Sequence, residues 1–164
     1  MWDLALGLGV APMPSRGSLA VLRSLGFTAL INVSGSRSAH IYSSADLSGL
    51  AAYDYPFPDV LTVGVDAQTA LDRLGADGLA SIAAAVARLI SLMQQHSRVL
   101  VFCHLGVGRS PLVAAMALSE VKGMSRACAC ASIRRLRPTA QFTEISMVVW
   151  DRVLAHLSEH GAQP

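Results

Sequence analysis

The sequence predicts a single α/β domain whose central, mostly parallel sheet carries helices on both faces. Two apolar runs of strand length, residues 27–33 and 98–102, lack the polar alternation of a half-exposed strand, so each is expected to be covered on both sides. Segments of helical periodicity alternate with the strands, which is the pattern of a sheet with crossover helices. A chain of 164 residues fits one domain with a sizeable core, spanning 1–164.

The first half of the chain is predicted to contain a short helix, two strands and a region without pattern. Ser18 is the predicted cap of a helix at 19–25, which the following glycine would end. Strand 27–33 comes next, and an aromatic-rich strand is predicted at 53–57. Residues 60–78 show neither helical nor strand periodicity, and we expect an irregular loop there with at most one helical turn.

The second half of the chain is predicted to be mainly helical, with strand 98–102 separating the first two helices. The helices are predicted at 79–95 with Asp77 as its cap, at 111–122, at 126–136 with Ser125 as its cap, and at 142–160. Gly123 follows the second helix and Pro138 the third, and both residue types are common just past a helix end.

Composition and charge restrict the class of protein. Hydrophobic residues make up 52% of the chain and charged residues 15%, a composition that folds rather than staying disordered. A formal net charge of +2 is too small to indicate a nucleic-acid partner or a membrane surface. The three cysteines form no disulfide framework and Arg88 interrupts the longest apolar run, so we expect a reduced, cytoplasmic protein without a membrane span.

The residues that carry chemistry lie between a strand and a helix. A buried strand leads into Cys103, and a loop containing Gly106 and Gly108 follows. Arg109 and Ser110 then open a helix. Backbone N–H groups at a helix N-terminus bind phosphate, and the helix dipole adds positive potential there. The segment therefore predicts a phosphate-binding loop.

A cysteine at the base of such a loop has a specific chemistry. The positive field that binds phosphate also stabilises the thiolate, which is the nucleophilic form of Cys103. The spacing lets Arg109 fold back and bind two phosphate oxygens as a fork, and the Ser110 hydroxyl can donate a hydrogen bond to the leaving thiolate. A buried cysteine is more often a small hydrophobic residue, but the coincidence of glycines, arginine, hydroxyl and helix favours the catalytic interpretation.

The segment from Cys103 to Ser110 (CHLGVGRS) resembles the Cys-x5-Arg-Ser/Thr signature of the protein tyrosine phosphatase superfamily. Residues 25–33 and 133–138 resemble the flanking segments of its small dual-specificity members. The resemblance covers nearly the whole chain and implies the cysteine-based phosphatase fold. It also implies a phosphate-binding loop made of His104, Leu105, Gly106, Val107, Gly108 and Arg109.

The resemblance further implies hydrolysis of phosphate monoesters through a phosphocysteine intermediate, with phosphotyrosine and also phosphoserine or phosphothreonine as substrates. The implied partner is a phosphorylated protein or a small phosphoester, and phosphate or sulfate is expected to bind at the loop. No metal, cofactor, nucleic acid or membrane is implied. Phe102 stands where the family usually has His before the nucleophile. This departure keeps open the alternative of a catalytically inactive phosphate-binding module.

The resemblance also requires an aspartate as general acid, on a loop after an earlier strand. Asp59 follows Tyr-Pro-Phe-Pro and matches the pattern at the end of that strand. It lies farther before Cys103 than is usual in the family, whereas Asp72 has a more typical spacing and Asp66 lies between the two. An insertion in the region without pattern would reconcile Asp59 with the distance. Asp59 is therefore the first choice, with Asp66 and Asp72 as alternatives.

Other polar residues give weaker signals. Gln141 is a hypothesis for positioning the hydrolytic water, and residues 36–38 lie on a loop expected near the pocket. Cys128 and Cys130 are two positions apart on a predicted helix, hence on different faces, which argues against a shared metal. A basic cluster near the end of that helix is expected to be a solvated surface with at most a modest part in binding anionic substrate. It comprises Arg134, Arg135 and Arg137.

Overall fold

The computed structural model describes residues 2–3, 7–61 and 65–159, and these residues form one five-stranded sheet. The strands are Trp2–Asp3 (β1), Leu8–Pro12 (β2), Ala29–Asn32 (β3), Ala51–Asp54 (β4) and Val99–Cys103 (β5). Their order in the sheet is β1-β2-β5-β3-β4, in which β2, β5, β3 and β4 are parallel and β1 is antiparallel. The prediction of a mostly parallel sheet is confirmed.

Helices cover the sheet on both sides, as predicted. They are Arg16–Ser24 (α1), Ser38–Ile41 (α2), Ala67–Gln94 (α3), Arg109–Lys122 (α4), Arg126–Leu136 (α5) and Glu144–Glu159 (α6). Along β5, Leu100 and Phe102 belong to a small core cluster beneath α1, whereas Val101 and Cys103 belong to the main core beneath α3 to α6. Successive side chains of a strand point to opposite faces, so β5 divides the interior into these two cores.

Helix α3 begins much earlier than the sequence predicted. Asp66 caps it through a hydrogen bond from Thr69 N of 2.9 Å, and the helix continues to Gln94 with one non-helical residue, Gly75 (φ 62°, ψ −177°). The prediction of a loop over 60–78 is therefore wrong from residue 67 onward, and so is the cap at Asp77. The kink at Gly75 rotates the first turns relative to the rest, which obscures a single apolar periodicity in the sequence.

Among the described residues, α3 alone is long and apolar enough to cross a membrane. In its most apolar stretch 44% of the residues are buried inside the protein, including Ile82, Val86 and Leu89. A helix that packs against a core has the same length and composition as a spanning helix, so these two properties are weak evidence for a span.

The remaining elements differ from expectation mainly at their ends. Ser15 rather than Ser18 caps α1, since its hydroxyl accepts from Ser18 N at 3.2 Å. Strand β4 lies slightly before the predicted 53–57, and β1, β2 and the short α2 were not predicted. Helix α4 ends as predicted, with Gly123 in the left-handed region just after it. Helix α5 begins as predicted, with Ser125 as its cap. The predicted end of the last helix at His160 lies outside the described residues.

The topology gathers the functional segments at one edge of the sheet. The carboxyl ends of parallel strands share an edge, so the segments that follow β2, β5, β3 and β4 lie side by side there. Such an edge is where ligands bind in open α/β sheets. Residues 103–109 of the cysteine loop lie between the segment after β2 and the segment after β3.

Candidate active site

Cys103 is the last residue of β5 and is 2% exposed. Its Sγ accepts hydrogen bonds from Gly106 N at 3.2 Å and from Ser110 Oγ at 3.3 Å. The hydroxyl of Ser110 also lies 3.4 Å from Ala11 O, and its single proton can serve only one of these acceptors at a time. The sulfur therefore faces one backbone N–H and one hydroxyl that can donate to it.

Gly106 gives the loop its tight path past β2. The residue has φ +66°, and a Cβ placed on it would lie 2.4 Å from Pro12 N and 2.5 Å from Ala11 C. Both contacts are with backbone that pairs with β5, so neither can move aside without breaking the sheet. Only glycine fits where the loop turns back toward Cys103.

Arg109 opens α4 and is buried, with 6% of its surface exposed. Its Nη1 donates to Phe57 O at 3.1 Å, and its Nη2 lies 3.4 Å from Asp59 Oδ2. Within the described residues, the Nε of Arg109 is a buried donor without a hydrogen-bond partner. A buried guanidinium N–H is costly to leave unpaired, so this atom marks a place for an acceptor that residues 7–61 and 65–159 do not supply.

The three candidate acids occupy different environments. Asp59 reaches Arg109 while its own side chain remains 45% exposed. The neighbouring Leu61 packs over the loop, at 3.3 Å from where a Cβ on Gly108 would stand. Hence the segment that carries Asp59 closes over the cysteine loop.

The other two candidates are engaged elsewhere, on α3. Asp66 is the cap of that helix, and hydrogen bonds from the side chain and backbone of Thr69 hold the pKa of its carboxyl below its ordinary value. Asp72 is exposed and accepts a hydrogen bond from Gln68 Nε2 at 2.7 Å, one turn earlier on the same helix. The geometry favours Asp59 over Asp66 and Asp72 as a residue of the loop's surroundings.

The residues that flank Cys103 point away from its sulfur or into solvent. Phe102 is fully buried in the small core cluster, where it meets Tyr42 edge-on at a ring-centroid distance of 6.4 Å. Burial raises the pKa of Tyr42 to about 12, and its hydroxyl donates to Pro14 O. His104 and Leu105 are exposed, with Leu105 at 62%. Phe102 therefore supplies packing on the far face rather than a hydrogen bond to the loop.

A polar network that the sequence analysis missed shapes the loop after β3. Asn32 Nδ2 donates to Ser36 O at 2.7 Å and to Asp54 Oδ1 at 2.8 Å, and Asn32 Oδ1 accepts from Ser34 N. The same Asp54 oxygen accepts from the backbone and the hydroxyl of Ser38. Asn32 and Asp54 each end a strand, and this position at the carboxyl edge is the sequence signal for them. The role of residues 36–38 at the pocket stays a prediction.

The remaining sequence candidates have the following positions. Cys128 is exposed and Cys130 is buried, so they lie on different faces of α5, and burial raises the pKa of the Cys130 thiol. The guanidinium of Arg134 stacks over the ring of Phe142 at 5.2 Å. The backbone N–H of Gln141 donates to Val107 O at 2.9 Å, and the proposed contact of its side chain with water stays a prediction.

The fold is that of the dual-specificity and other protein tyrosine phosphatases, which confirms the resemblance at the level of fold. Human DUSP28 is similar over 98% of this chain and 99% of its own, with a TM-score of 0.71 and 20% identity. Tk-PTP in its active form has a TM-score of 0.64 and 24% identity over 93% of this chain and 91% of its own. PTPMT1 in complex with PI(5)P has a TM-score of 0.71 and 14% identity over 98% of both chains. Neither a protein-family model nor a curated protein sequence matches the chain.

Proposed function

We propose that this chain is a cysteine-dependent phosphatase that hydrolyses phosphate monoesters. One observation carries the proposal. A single loop holds both a cysteine whose sulfur accepts two hydrogen bonds and a buried arginine with an unpartnered N–H among the described residues. The first is a stabilised nucleophile and the second is an unfilled anion contact. A phosphatase needs the two together.

The anion contact suits a phosphoryl group in particular. A guanidinium binds two oxygens of a tetrahedral anion through parallel N–H groups, and Nε with one Nη forms such a fork. No described residue accepts from Arg109 Nε, and Nη2 contacts Asp59 at 3.4 Å, which is longer than a strong hydrogen bond. A phosphoryl oxygen bound by Nε would satisfy the buried donor and gain from the N-terminal field of α4.

The reaction proceeds in two displacements at phosphorus. The Cys103 thiolate attacks, the S–P bond forms, and the P–O bond to the leaving group breaks as that oxygen takes a proton from Asp59. Water then attacks the phosphocysteine and gives its proton to the Asp59 carboxylate. The S–P bond breaks, the thiolate returns, and inorganic phosphate leaves. The hydrogen bonds from Gly106 N and Ser110 Oγ to the sulfur support a role for both groups in stabilising the departing thiolate.

Phosphotyrosine is the proposed substrate, with phosphoserine and phosphothreonine as further protein substrates. Residues 103–110 contain no lysine that would favour the extra phosphates of a polyphosphorylated lipid headgroup. The similarity in fold to PTPMT1 in complex with PI(5)P makes a phosphoinositide the comparison substrate to include in any assay.

The second candidate is a phosphate-binding module without turnover. Phe102 favours it, because an aromatic ring in the far core supplies neither charge nor hydrogen bond to the nucleophile. Both candidates predict anion binding, so turnover is the measurement that separates them.

The test is hydrolysis of p-nitrophenyl phosphate by the wild type and by Cys103→Ser. We expect the substitution to reduce turnover to the level of buffer while tungstate binding is retained, since the loop amides and Arg109 remain. Cys128→Ser, at an exposed cysteine on α5, is the matched control and should keep full activity. A phosphoryl adduct on the peptide that contains Cys103, trapped by acid quench, identifies the nucleophile directly.

Two results would contradict the proposal in different ways. Tungstate binding by a wild type that never turns over substrate would establish the module instead. Equal turnover by wild type and Cys103→Ser would remove Cys103 from the chemistry altogether.

A further inference from the structure

The carbonyl groups of the four residues 104–107 in the cysteine loop have partners outside the loop. His104 O accepts from Met13 N at 3.3 Å, and Val107 O accepts from Gln141 N at 2.9 Å. The two carbonyls between them are taken by one side chain. Arg137 donates through Nη2 to Leu105 O and through Nε to Gly106 O, each at 3.1 Å.

The direction of these carbonyls fixes the direction of the amides. In a planar trans peptide the C=O of one residue and the N–H of the next point in opposite directions. Four successive carbonyls that point out of the loop therefore turn the N–H groups of residues 105–108 into it. The one inward contact within the loop agrees, since Gly106 N donates to Cys103 Sγ at 3.2 Å.

Arg137 binds the carbonyls of the central two of these four peptides through its charged guanidinium group. Its side chain leaves the end of α5, where its backbone N–H still bonds to Ile133 O, and crosses to a loop far earlier in the sequence. A cation hydrogen-bonded to a carbonyl polarises that peptide, which strengthens the donor on its other side. The effect is directed at the amides of Gly106 and Val107.

We propose that Arg137 is a positioning residue for the anion site: by clamping Leu105 O and Gly106 O from behind, it keeps the loop amides directed at the phosphoryl group and at the Cys103 thiolate. The inference rests on the proposed function for the identity of the anion, and it extends that function to a residue outside the loop. It also accounts for how the loop keeps its shape with Phe102 packed on the far side of the sheet.

The test compares Arg137→Ala with Arg135→Ala. Arg135 is exposed on the same helix end and its side chain bonds to Ser132 Oγ, away from the loop, so it controls for lost charge. We expect Arg137→Ala to weaken tungstate binding on the order of 10-fold or more, since two charge-assisted hydrogen bonds are lost. Arg135→Ala should change it less than about twofold, as for an exposed charge.

A second readout reports on the sulfur itself. In a Cys128→Ser background, the rate at which iodoacetate alkylates Cys103 at mildly acidic pH measures the thiolate. Arg137→Ala should slow this alkylation markedly and lower kcat, and millimolar guanidinium ion should restore part of both by occupying the vacated position. If Arg137 served only the stability of α5, Arg137→Ala would leave the alkylation rate unchanged, and guanidinium ion would have no effect on it.

Each outcome decides between the proposals. A lower Tm with unchanged tungstate binding and alkylation in Arg137→Ala would overturn the positioning role. If the wild type binds tungstate, loses it in Arg137→Ala and turns over no phosphoester, the phosphatase proposal fails and the positioning role stands. A wild type that binds no tungstate would overturn both. Should Arg137→Ala fail to fold, Arg137→Lys keeps the charge with one of the two bonds, and binding equal to wild type would likewise refute the clamp.

Discussion

The side chains of Asp59 and Arg109 contact each other at 3.4 Å, and this contact bears on which aspartate acts as the acid. If Arg109 binds the phosphoryl group as proposed, the half-exposed carboxylate beside it lies where a leaving group would depart. Asp66 instead caps α3, and Asp72 accepts a hydrogen bond from Gln68 on the same helix. The pattern that ends in Pro-Asp therefore agrees with the geometry better than the spacing to Cys103 does.

Asp59→Asn tests this assignment. The amide cannot donate a proton as a carboxylic acid does, so hydrolysis of phosphotyrosine should slow by about 10²–10⁴-fold, the range for general acid catalysis. The loss should be far smaller for an aryl phosphate with a highly acidic phenol. The limb of the pH–rate profile at which activity falls with rising pH should also disappear, because it records loss of the acid's proton.

Asp66→Asn and Asp72→Asn serve as the matched controls for that experiment. Both should retain the wild-type dependence on the leaving group. The assignment is wrong if either of them, and not Asp59→Asn, becomes sensitive to the acidity of the phenol.

The shape of the cysteine loop was predictable because it depends on residues that are close together in the sequence. Cys103, Arg109 and Ser110 come together through one strand, one turn and one helix, which are local features. Arg137 was grouped with a solvated cluster instead, since nothing in its local sequence shows that its side chain reaches Leu105 O and Gly106 O. Contacts that depend on how two distant segments pack cannot be predicted from the sequence of either segment alone.

Helix α3 shows what capping contributes at the scale of an element. Asp66 accepts from the hydroxyl and from the backbone N–H of Thr69, and these bonds lower the pKa of its carboxyl from the ordinary 3.8. A carboxyl with a lowered pKa in the folded state adds stability above its ordinary pKa. That stability is lost as the pH falls through the lowered value.

Asp66→Ala should therefore lower the Tm at neutral pH by roughly 2–4 °C, the shift expected for losing one cap in a domain of this size. The difference from wild type should narrow as the pH is lowered below the ordinary carboxyl range, because the protonated cap no longer accepts well. Thermal melts followed by far-UV circular dichroism at several pH values measure this. Asp72→Ala is the control, because Asp72 is exposed and does not cap the helix; its difference in Tm from the wild type should not narrow at low pH. A difference in Tm for Asp66→Ala that does not change with pH would contradict this account.

Helices and strands with one uninterrupted hydrophobic periodicity were predicted well, whereas those whose periodicity is broken were not. The helices after Ser125 and before Gly123 carry an intact cap or end signal. Strand β2 contains Gly9, Ala11 and Pro12, none of which favours a strand, and its place in the sheet comes from pairing with β5. Tertiary pairing overrode propensity there.

At the scale of the whole molecule, β5 belongs to two cores at once. Phe102 fills the smaller cluster and Val101 the larger, in adjacent positions of one strand. Neither core can come apart without disturbing the strand that carries Cys103. We therefore expect the domain to unfold in a single cooperative transition.

Phe102→Ala tests this coupling. Removing a fully buried ring should cost about 3–5 kcal/mol of the free energy of unfolding. In a Trp2→Phe background the fluorescence of Trp150, buried in the larger core, reports on the opposite face from the substitution. Urea midpoints from this fluorescence and from far-UV circular dichroism should coincide and shift together; a shift confined to one probe would mean that the two cores unfold separately.

The contacts that enclose the cysteine loop come from segments that emerge from the ribosome at different times. The loop is enclosed by Pro12 at one end of the chain and by Arg137 and Gln141 near the other. During synthesis β2 emerges long before its parallel partner β5, and it must wait with one edge unpaired. The loop then gains its last supports only when residue 141 has emerged. A truncated or stalled nascent chain would thus carry the cysteine loop without these outside supports, and the proposed anion site would be among the last features of the protein to be completed.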